Sequence, residues 1–552
     1  MDYNKLAELL FPQIDKTSED YEAMYPPRAE SVITRLGPSP TGFIHLGNLY
    51  GAFVDERLAH QNGGIFYLRI EDTDDKRYVE GAVETIINSL KFFDINFDEG
   101  AGCGPNMTDA GEYGPYYQSQ RGPIYQAFVK RLVSQGKAYP CFLTEEELAE
   151  IRAQQEAAKE TTGIYGKYAD KSRNLTYEEI EANIAVGKPY VVRLKSKGNL
   201  GPDGVVYIHV EDAIRGEVSM PANDQDVIIL KATGIPTYHF AHVIDDHLMR
   251  TTHVVRGEEW LMSLPIHIEL FEALELKPPI YCHTAVLMKL DDETGNKRKL
   301  SKRKDPELSL DYYRQEGYHP QAVKEYLLTI LNSNFEEWRM ANPDADIDEF
   351  QFTTEKMNSA GALFDLNKLN DVSKDVLLKI PAEDLADFML EWAKEFKPKA
   401  ASLLEDKEYL TKILNIGRDD AKPRKDLIYA KQIFDFIRYF YDDYFVIEER
   451  IPEQVSDEDA QEILKRYLET YDHSDDQSQW FEKIRTITAD LGYAVKPKDY
   501  KKHPEEYKGS VAHVSTVIRI AVMGRSQSPD VWTIQQILGE DRVRARISEL
   551  IG

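Results

Sequence analysis

Two segments of the chain carry residues whose types and spacing could act on a phosphoanhydride. The first is Thr34-Arg35-Leu36-Gly37-Pro38-Ser39-Pro40-Thr41-Gly42-Phe43-Ile44-His45-Leu46-Gly47-Asn48. Its prolines and glycines break any regular element between residues 37 and 42, and an apolar periodicity begins at Leu46. His45 and the backbone N–H groups of a helix start therefore converge on one point, which suits a phosphate. Gly47 has no Cβ and would let the base or ribose of a nucleotide approach the backbone. The second segment is Lys299-Leu300-Ser301-Lys302-Arg303, preceded by the polar stretch Asp291–Arg298. Lysines 299 and 302 on a flexible loop could close over triphosphate oxygens, each as a compact point charge. Either segment alone has a plainer account, as a structural histidine or a solvated basic loop. Together they point to chemistry at a nucleotide phosphate.

The elements that would position them can be read from periodicity. Ser31–Leu36 (SVITRL) predicts a short strand that runs into the Gly/Pro turn. Leu46, Leu49, Tyr50, Phe53, Val54 and Leu58 fall on one helical face, which Asn62-Gly63-Gly64 ends. Ile65–Ile70 (IFYLRI) predicts a second strand. The result is a βαβ unit on a parallel sheet, with His45 beyond the carboxyl edge where such sheets bind ligands. Val79, Val83, Ile86, Ile87, Leu90 and Phe93 mark a further helix, and the polar, Gly-rich stretch Glu99–Pro115 opens an insertion. The insertion reads as a mixed α/β module, with a capping box at Thr144 and Glu147 and β-like runs YVVRLK and GVVYIHV. The parallel sheet is expected to resume at Asp226–Lys231 (DVIILK), and from about residue 320 the periodicity is almost wholly helical.

Composition restricts what such a chain can be. It has 552 residues, enough for several domains, with 42% apolar and 29% charged residues, the balance of a folded protein. The first twenty residues show no cationic stretch followed by an apolar one, and no run of about 18 apolar residues occurs, so neither export nor membrane insertion is expected. The three cysteines, Cys103, Cys141 and Cys282, are too far apart in sequence for a CxxC metal pair, and a cytoplasmic location is expected. The net charge of -28 requires any contact with a polyanion to be local. Basic residues do gather, at Lys289, Lys297, Arg298, Lys299, Lys302, Arg303 and Lys304, and again at Arg519, Arg525, Arg542, Arg544 and Arg546.

With those residues set out, a family likeness is visible. His45-Leu46-Gly47-Asn48 resembles the HIGH signature of class I aminoacyl-tRNA synthetases, and Lys299–Arg303 resembles their KMSKS signature. TRLGPSPTGFIHLGN, LRIEDTD at 68–74, PTYHFAHVIDDHLM at 236–249 and VVRGEEW at 254–260 resemble the bacterial glutamyl enzymes in particular. VIRIAVMGRSQSPDVWTIQQILGEDRV resembles their terminal anticodon-binding region. The resemblance implies an α/β fold: a Rossmann-like parallel-sheet catalytic domain with an inserted α/β module, followed by all-α anticodon-binding domains. It divides the chain into an N-terminal extension (1–30), a first catalytic half (31–115), the acceptor-binding insertion (116–215), a second catalytic half (216–285), the KMSKS-type loop with a stem-contact domain (286–385) and the anticodon-binding part (386–552).

The activity implied is ATP-dependent ligation of L-glutamate to tRNA-Glu through a glutamyl adenylate. His45 and Lys302 would serve the chemistry, and Gly47, Asn48, Lys299, Ser301, Lys302 and Arg303 would hold ATP with Mg²⁺ on its phosphates. Arg35, Ser39, Glu71, Tyr238 and Arg256 would hold glutamate, Arg35 and Arg256 on its two carboxylates and Glu71 on its ammonium. Each buried charge then has a partner, and an amide would leave an arginine without one. Arg519 and Arg525 would contact tRNA. A monomer with neither DNA nor membrane as a partner is also implied.

Three positions depart from the family pattern. Asn48 stands where HIGH ends in histidine, His242 stands where the family commonly has asparagine, and Cys141 lacks the neighbouring ligands with which some relatives hold zinc, so no zinc site is expected. The first 30 residues suggest a helix packed on the catalytic domain. Rival readings are a glutaminyl enzyme, a ligase that also charges tRNA-Gln, an enzyme that glutamylates a modified nucleoside, a small-metabolite adenylyltransferase and a noncatalytic tRNA-binding paralogue. The long helical half argues against the nucleoside-modifying enzyme and the adenylyltransferase, and His45, Lys302, Arg35 and Glu71 against the noncatalytic paralogue.

Overall fold

A computed structural model of the chain describes residues 1–42, 44–74, 79–291 and 293–551. Phe43 and Asp292, which belong to the two segments above, lie outside the described residues. The chain divides into two compact units, Met1–Asp311 with Lys324–Asp365, and Tyr312–Val323 with Leu366–Gly552.

In the first unit, strands Ile33–Leu36, Ile65–Leu68 and Glu99–Gly100 form a parallel sheet in that order, with Ile33 opposite Ile65 and Leu36 opposite Leu68. Every residue of Ile33–Leu36 is buried, as expected for a parallel strand covered on both faces. Helix Leu46–His60 makes the crossover and buries Leu49, Phe53 and Val54 completely. Strands His253–Gly257 and Ile280–Thr284 run parallel to each other, with Val254 opposite Tyr281. They meet the first sheet at its edge, where the Thr252 N–H donates to the Ile33 carbonyl at 3.0 Å.

The β-rich runs of the insertion sort differently from expectation. Ile228–Leu230 does not resume the parallel sheet; it pairs antiparallel with Val191–Leu194, which pairs in turn with Ala138–Cys141. Parallel pairing appears instead at His253–Gly257, in a second sheet that abuts the first. The run read as GVVYIHV contributes Tyr207–Asp212, whose last residue sits opposite Tyr281 on the parallel sheet and which forms a hairpin with Gly216–Pro221. All these runs are short, and Ile228–Leu230 and Val191–Leu194 are rich in β-branched residues. Such composition reports a pleated, half-buried setting and says nothing of which strand is the neighbour.

The N-terminal residues form two helices, Tyr3–Leu10 and Ser18–Met24, the second opened by a reciprocal cap between Thr17 and Asp20. They are tied down by Lys130, which donates to Glu8 at 3.0 Å and to the Ile14 carbonyl at 3.1 Å, and by Arg250, whose Nη2 reaches Glu22 at 3.0 Å.

The second unit is built of helices packed around a continuous core that includes Trp392, Ile433, Ile463, Tyr467, Ile518 and Val543. Tyr467 is fully engaged there, donating to Gln535 at 2.9 Å and accepting from the Trp480 indole at 2.8 Å. Among the described residues no helix is long and apolar enough to cross a membrane.

Candidate active site

Beyond the carboxyl ends of Ile33–Leu36 and His253–Gly257 lies a cavity of about 550 Å³. Arg35, Ser39, His45, Gly47, Asn48 and Glu71 line it from the first sheet and its crossover. Tyr238, Arg256, Lys299 and Lys302 line it from later parts of the same unit. The two segments picked out for phosphate chemistry thus border one space. The chain that follows the second segment meets the first directly, in a backbone bridge between Ser309 and His45.

His45 is the N-cap of helix Leu46–His60. Its Nδ1 accepts the Asn48 N–H at 3.3 Å, and the Asn48 side chain accepts the His45 N–H at 3.1 Å. Asn48 therefore closes a capping box, which gives a structural reason for an amide at that position. Because Nδ1 accepts, a neutral ring carries its proton on Nε2. Burial first, and then the nearby ammonium groups of Lys302 and Lys299, push the His45 pKa down, so at neutral pH the ring is a neutral hydrogen-bond donor. A Cβ on Gly47 would come within 3.0 Å of this ring, whereas one on Gly51, also on the cavity wall, would meet nothing within 4 Å. Gly47 thus makes room for the capping histidine, and Gly51 leaves open space for a ligand.

The basic segment is more structured than a free loop. Lys297–Lys299 pairs antiparallel with Leu287–Leu290, and Leu287 and Met288 also pair with the short strand Ala362–Leu363, which no periodicity signalled. Arg298 forks onto Asp305 at 2.6 and 2.7 Å and reaches Asp291 through Nε at 3.0 Å. The buried Asp305 also accepts the Ser301 N–H at 2.8 Å. The Arg298 hydrogen bonds draw the Asp305 pKa down to about 2, so the clasp is ionised at any working pH. It fixes the chain on both sides of Leu300 while Lys299 and Lys302 stay exposed. Ser301 and Arg303 do not line the cavity; the former is turned into the clasp and the latter is exposed.

At the other end of the cavity the charges are arranged in chains. Arg35 donates through Nε to Asp246 at 3.2 Å and through Nη1 to the Val255 carbonyl at 3.3 Å. Arg69, completely buried, bridges Asp246 at 2.6 Å and Glu71 at 3.1 Å. Burial raises the Glu71 pKa, and Arg69 and Arg35 pull against that rise. Gly37 is what lets Glu71 enter: a Cβ there would stand 2.5 Å from its Oε1. Arg256 lies over the Tyr281 ring at 4.7 Å, donates to His283 at 2.9 Å and to His267 at 3.0 Å, and its buried Nη2 has no hydrogen-bond partner. A buried guanidinium N–H without a partner marks a place for an anion. The Tyr238 ring lies 4.6 Å from that of Trp260, which also lines the cavity.

Sequence reasoning passed over Arg69, Asp246, His267, His283, Asp55 and Trp260. A charge inside the apolar strand IFYLRI was the available signal for Arg69, since an arginine in such a run must have a buried partner. His242 does not line the cavity; it is wholly buried, with Nδ1 2.9 Å from Asp246. Cys141 is buried and accepts from the Ser172 hydroxyl at 3.4 Å. Among the described residues the one group of three possible metal ligands is the exposed set His503, Glu505 and Glu506.

The C-terminal arginines divide into two kinds. Arg542 bonds Asp442 at 3.1 Å, Arg544 bonds Glu540 at 2.8 Å, and Arg546 bonds Asp442 and the Val522 carbonyl, each at 2.8 Å. Those three fasten the helical unit together. Arg519 lines a cavity of about 390 Å³ together with Trp480 and Phe481. Arg525, paired with Glu448 at 3.0 Å, lines another of about 1060 Å³. The larger space holds neither of the two phosphate-directed segments.

Comparison with known proteins agrees with this division of the chain. Residues 31–371 match the family described as tRNA synthetases class I (E and Q), catalytic domain, and residues 382–551 match an anticodon binding domain. A glutamate–tRNA ligase from Acetivibrio thermocellus is 62% identical over 556 residues, covering 100% of both chains. One from Clostridium perfringens is 49% identical over 555 residues, covering 99% of this chain and 100% of the relative. Among solved structures, a glutamate tRNA ligase from Elizabethkingia meningosepticum in complex with its amino acid superposes with a TM-score of 0.73 at 27% identity, over 95% of this chain and 99% of that one.

Proposed function

This chain belongs to the class I tRNA synthetases for glutamate and glutamine, and we propose from that footing that it is a glutamate–tRNA ligase whose cavity joins glutamate to ATP and then to tRNA. The observation that carries the reading is a single 550 Å³ space with two arginines and a glutamate at one end and His45, Lys299 and Lys302 at the other. Glutamate brings two anions and one cation, and Arg35, Arg256 and Glu71 are their complement.

In the first step an α-carboxylate oxygen of glutamate attacks the α-phosphorus of ATP. The O–P bond to glutamate forms, the bond from Pα to the bridging oxygen breaks, and pyrophosphate departs with that electron pair. The chain's part is positioning and charge stabilisation. His45 donates from Nε2 to a phosphate oxygen, and Lys299 and Lys302 offset charge gathering on the departing oxygens. In the second step a hydroxyl of the terminal adenosine attacks the adenylate carbonyl and AMP leaves, so no side-chain nucleophile is needed.

Mg²⁺ is included in this proposal only as part of the bound nucleotide. Glu71 is held by Arg69, and among the described residues no set of three possible ligands surrounds the cavity, so those residues build no cage for the ion. Carried by ATP oxygens and water, it would withdraw charge from the phosphates. For tRNA, Arg519 in a cavity shared with Trp480 and Phe481 supplies the cationic and aromatic surfaces that suit an unstacked base.

The test is charging of purified tRNA-Glu and tRNA-Gln with labelled glutamate and glutamine, together with glutamate-dependent ATP–pyrophosphate exchange. Esterification of tRNA-Glu by glutamate is expected. Charging by glutamine alone would replace the reading with a glutaminyl enzyme, and absence of both activities would leave a noncatalytic paralogue.

A further inference from the structure

Buried arginines are ordinarily neutralised by carboxylates, and Arg35 and Arg69 follow that rule through Asp246. Arg256 does not. Its Nε donates to His283 Nε2 at 2.9 Å and its Nη1 to His267 Nδ1 at 3.0 Å, and both imidazoles are wholly buried. A guanidinium can only donate, so each of those ring nitrogens must be an unprotonated acceptor. The remaining proton of each ring is then fixed. His283 Nδ1–H points to Asp212 Oδ2 at 2.6 Å, and His267 Nε2–H points to His239 Nδ1 at 3.0 Å. The groups facing His267 are Arg256, His239, His242 and Tyr238, with Asp246 farther off. Those facing His283 are Asp212, Arg256, Tyr281 and Arg215. Burial pushes both pKa values down; at His267 the neighbouring His242 and Arg256 add to it, and at His283 burial outweighs the Asp212 hydrogen bond that pulls the other way, so both rings are neutral.

We propose that His267 and His283 are positioning residues for Arg256: they hold its plane through two neutral acceptors and leave its charge uncompensated and its Nη2 directed to a substrate carboxylate. A carboxylate in either place would hold the side chain equally well but would cancel the charge the substrate needs. The Asp212–His283 bond and the His239–His267 bond act one step further out, by fixing which ring nitrogen is bare. This inference rests on the reading of the cavity as a glutamate pocket.

The experiment measures glutamate KM, ATP KM and kcat in tRNA-supported ATP–pyrophosphate exchange for His267→Asn, His267→Gln and His267→Phe, with thermal melting as a check on folding. Asparagine can put an amide oxygen where Nδ1 lies, whereas glutamine reaches the Nε2 position, away from Arg256, and phenylalanine keeps the shape with no acceptor. Loss of a hydrogen bond to a charged group predicts about a 10- to 100-fold rise in glutamate KM for His267→Phe and His267→Gln. His267→Asn should recover most of that rise, and ATP KM should stay within about threefold throughout. A folded His267→Phe with unaltered glutamate KM would overturn the proposal, as would a rise in ATP KM equal to that for glutamate. Should His267→Phe not fold, equal glutamate KM values for the asparagine and glutamine variants would overturn it. Failure of the parent enzyme to show glutamate-dependent exchange would sink the functional reading itself, which separates the two.

Discussion

On the wall formed by Ile33–Leu36 and Ile65–Leu68, cations alternate with anions: Arg35, Asp246, Arg69 and Glu71 form one hydrogen-bonded chain. On the wall formed by His253–Gly257 and Ile280–Thr284, the cation Arg256 is held by neutral rings. Both walls are buried and both present an arginine to the same cavity. The first can be stable without a ligand because its charges are already matched. The second carries charge that only a ligand can match, so it is the better suited to draw an anion in. One site thus separates rigidity from attraction by choosing what stands behind each guanidinium.

The largest effect should come from breaking the matched wall. Asp246→Asn would leave Arg35 and Arg69 facing each other across a buried amide, and removing one partner of such a buried pair costs about 3–5 kcal/mol. Urea unfolding should show a loss of that order, while His267→Asn on the other wall should cost far less. Equal stability of Asp246→Asn and the parent would refute the idea that Asp246 neutralises both arginines.

Next in size is a substitution on neither wall. Lys302→Ala should reduce the rate of adenylate formation by about 10²- to 10³-fold, the usual effect of removing one group that stabilises transition-state charge. Glutamate KM should change by less than about threefold, since Lys302 stands at the phosphate end. Single-turnover formation of adenylate separates the two quantities. A matching loss in glutamate affinity would place Lys302 in the amino-acid pocket instead.

A smaller change should sharpen the contrast from the matched side. Gly37→Ala puts a methyl group 2.5 Å from Glu71 Oε1, and Glu71 cannot swing aside freely because Arg69 holds it. Overpacking of this kind costs about 1–3 kcal/mol. It should appear as roughly a tenfold rise in glutamate KM, read in the exchange assay, with ATP KM little altered. An unchanged glutamate KM would mean that Glu71 does not meet the substrate where it now stands.

How much of this was legible beforehand follows from the distance over which each feature is specified. His45, Gly47 and Asn48 are set by one strand, one turn and one helix start, and their grouping was readable from the sequence alone. The meeting of that turn with Lys299 and Lys302 was suggested by their shared phosphate chemistry and sharpened by family likeness, because nothing local links them. Asp246 was not readable as a hub: its partners Arg35 and Arg69 lie 211 and 177 residues away. His267 and His283 sat among apolar residues as unremarked polar positions. The assignment of Ile228–Leu230 to the wrong sheet has the same origin, since a strand's composition encodes its burial but not its neighbour. The C-terminal arginines show what a run of like charges leaves open. Five arginines gather there in sequence, and Arg542, Arg544 and Arg546 are fasteners with nearby acceptors.

Acid should part the two walls by order of failure. Burial lowers the pKa of His242 to about 4 and takes that of His267 well below its ordinary value; His239 and His283 are also lowered. An unfolded chain binds protons on these rings near pH 6.5, before the folded chain does, so stability falls as pH drops from about 6.5 toward 4. For Asp246 on the matched wall the sign is the same but the window is lower, whereas Glu71, raised by burial, runs the other way. Arg35 and Arg69 outweigh the effect of burial and hold Asp246 well below the usual carboxylate range, so its contribution is present above about pH 3.9 and fades only in stronger acid. Urea unfolding at stepped pH should therefore show a decline between about pH 6.5 and 4.5 that is shallower in His267→Asn, which has one fewer ring to protonate, and steep further loss only below that. An identical slope for parent and His267→Asn across the upper window would show that His267 does not stay neutral in the folded protein.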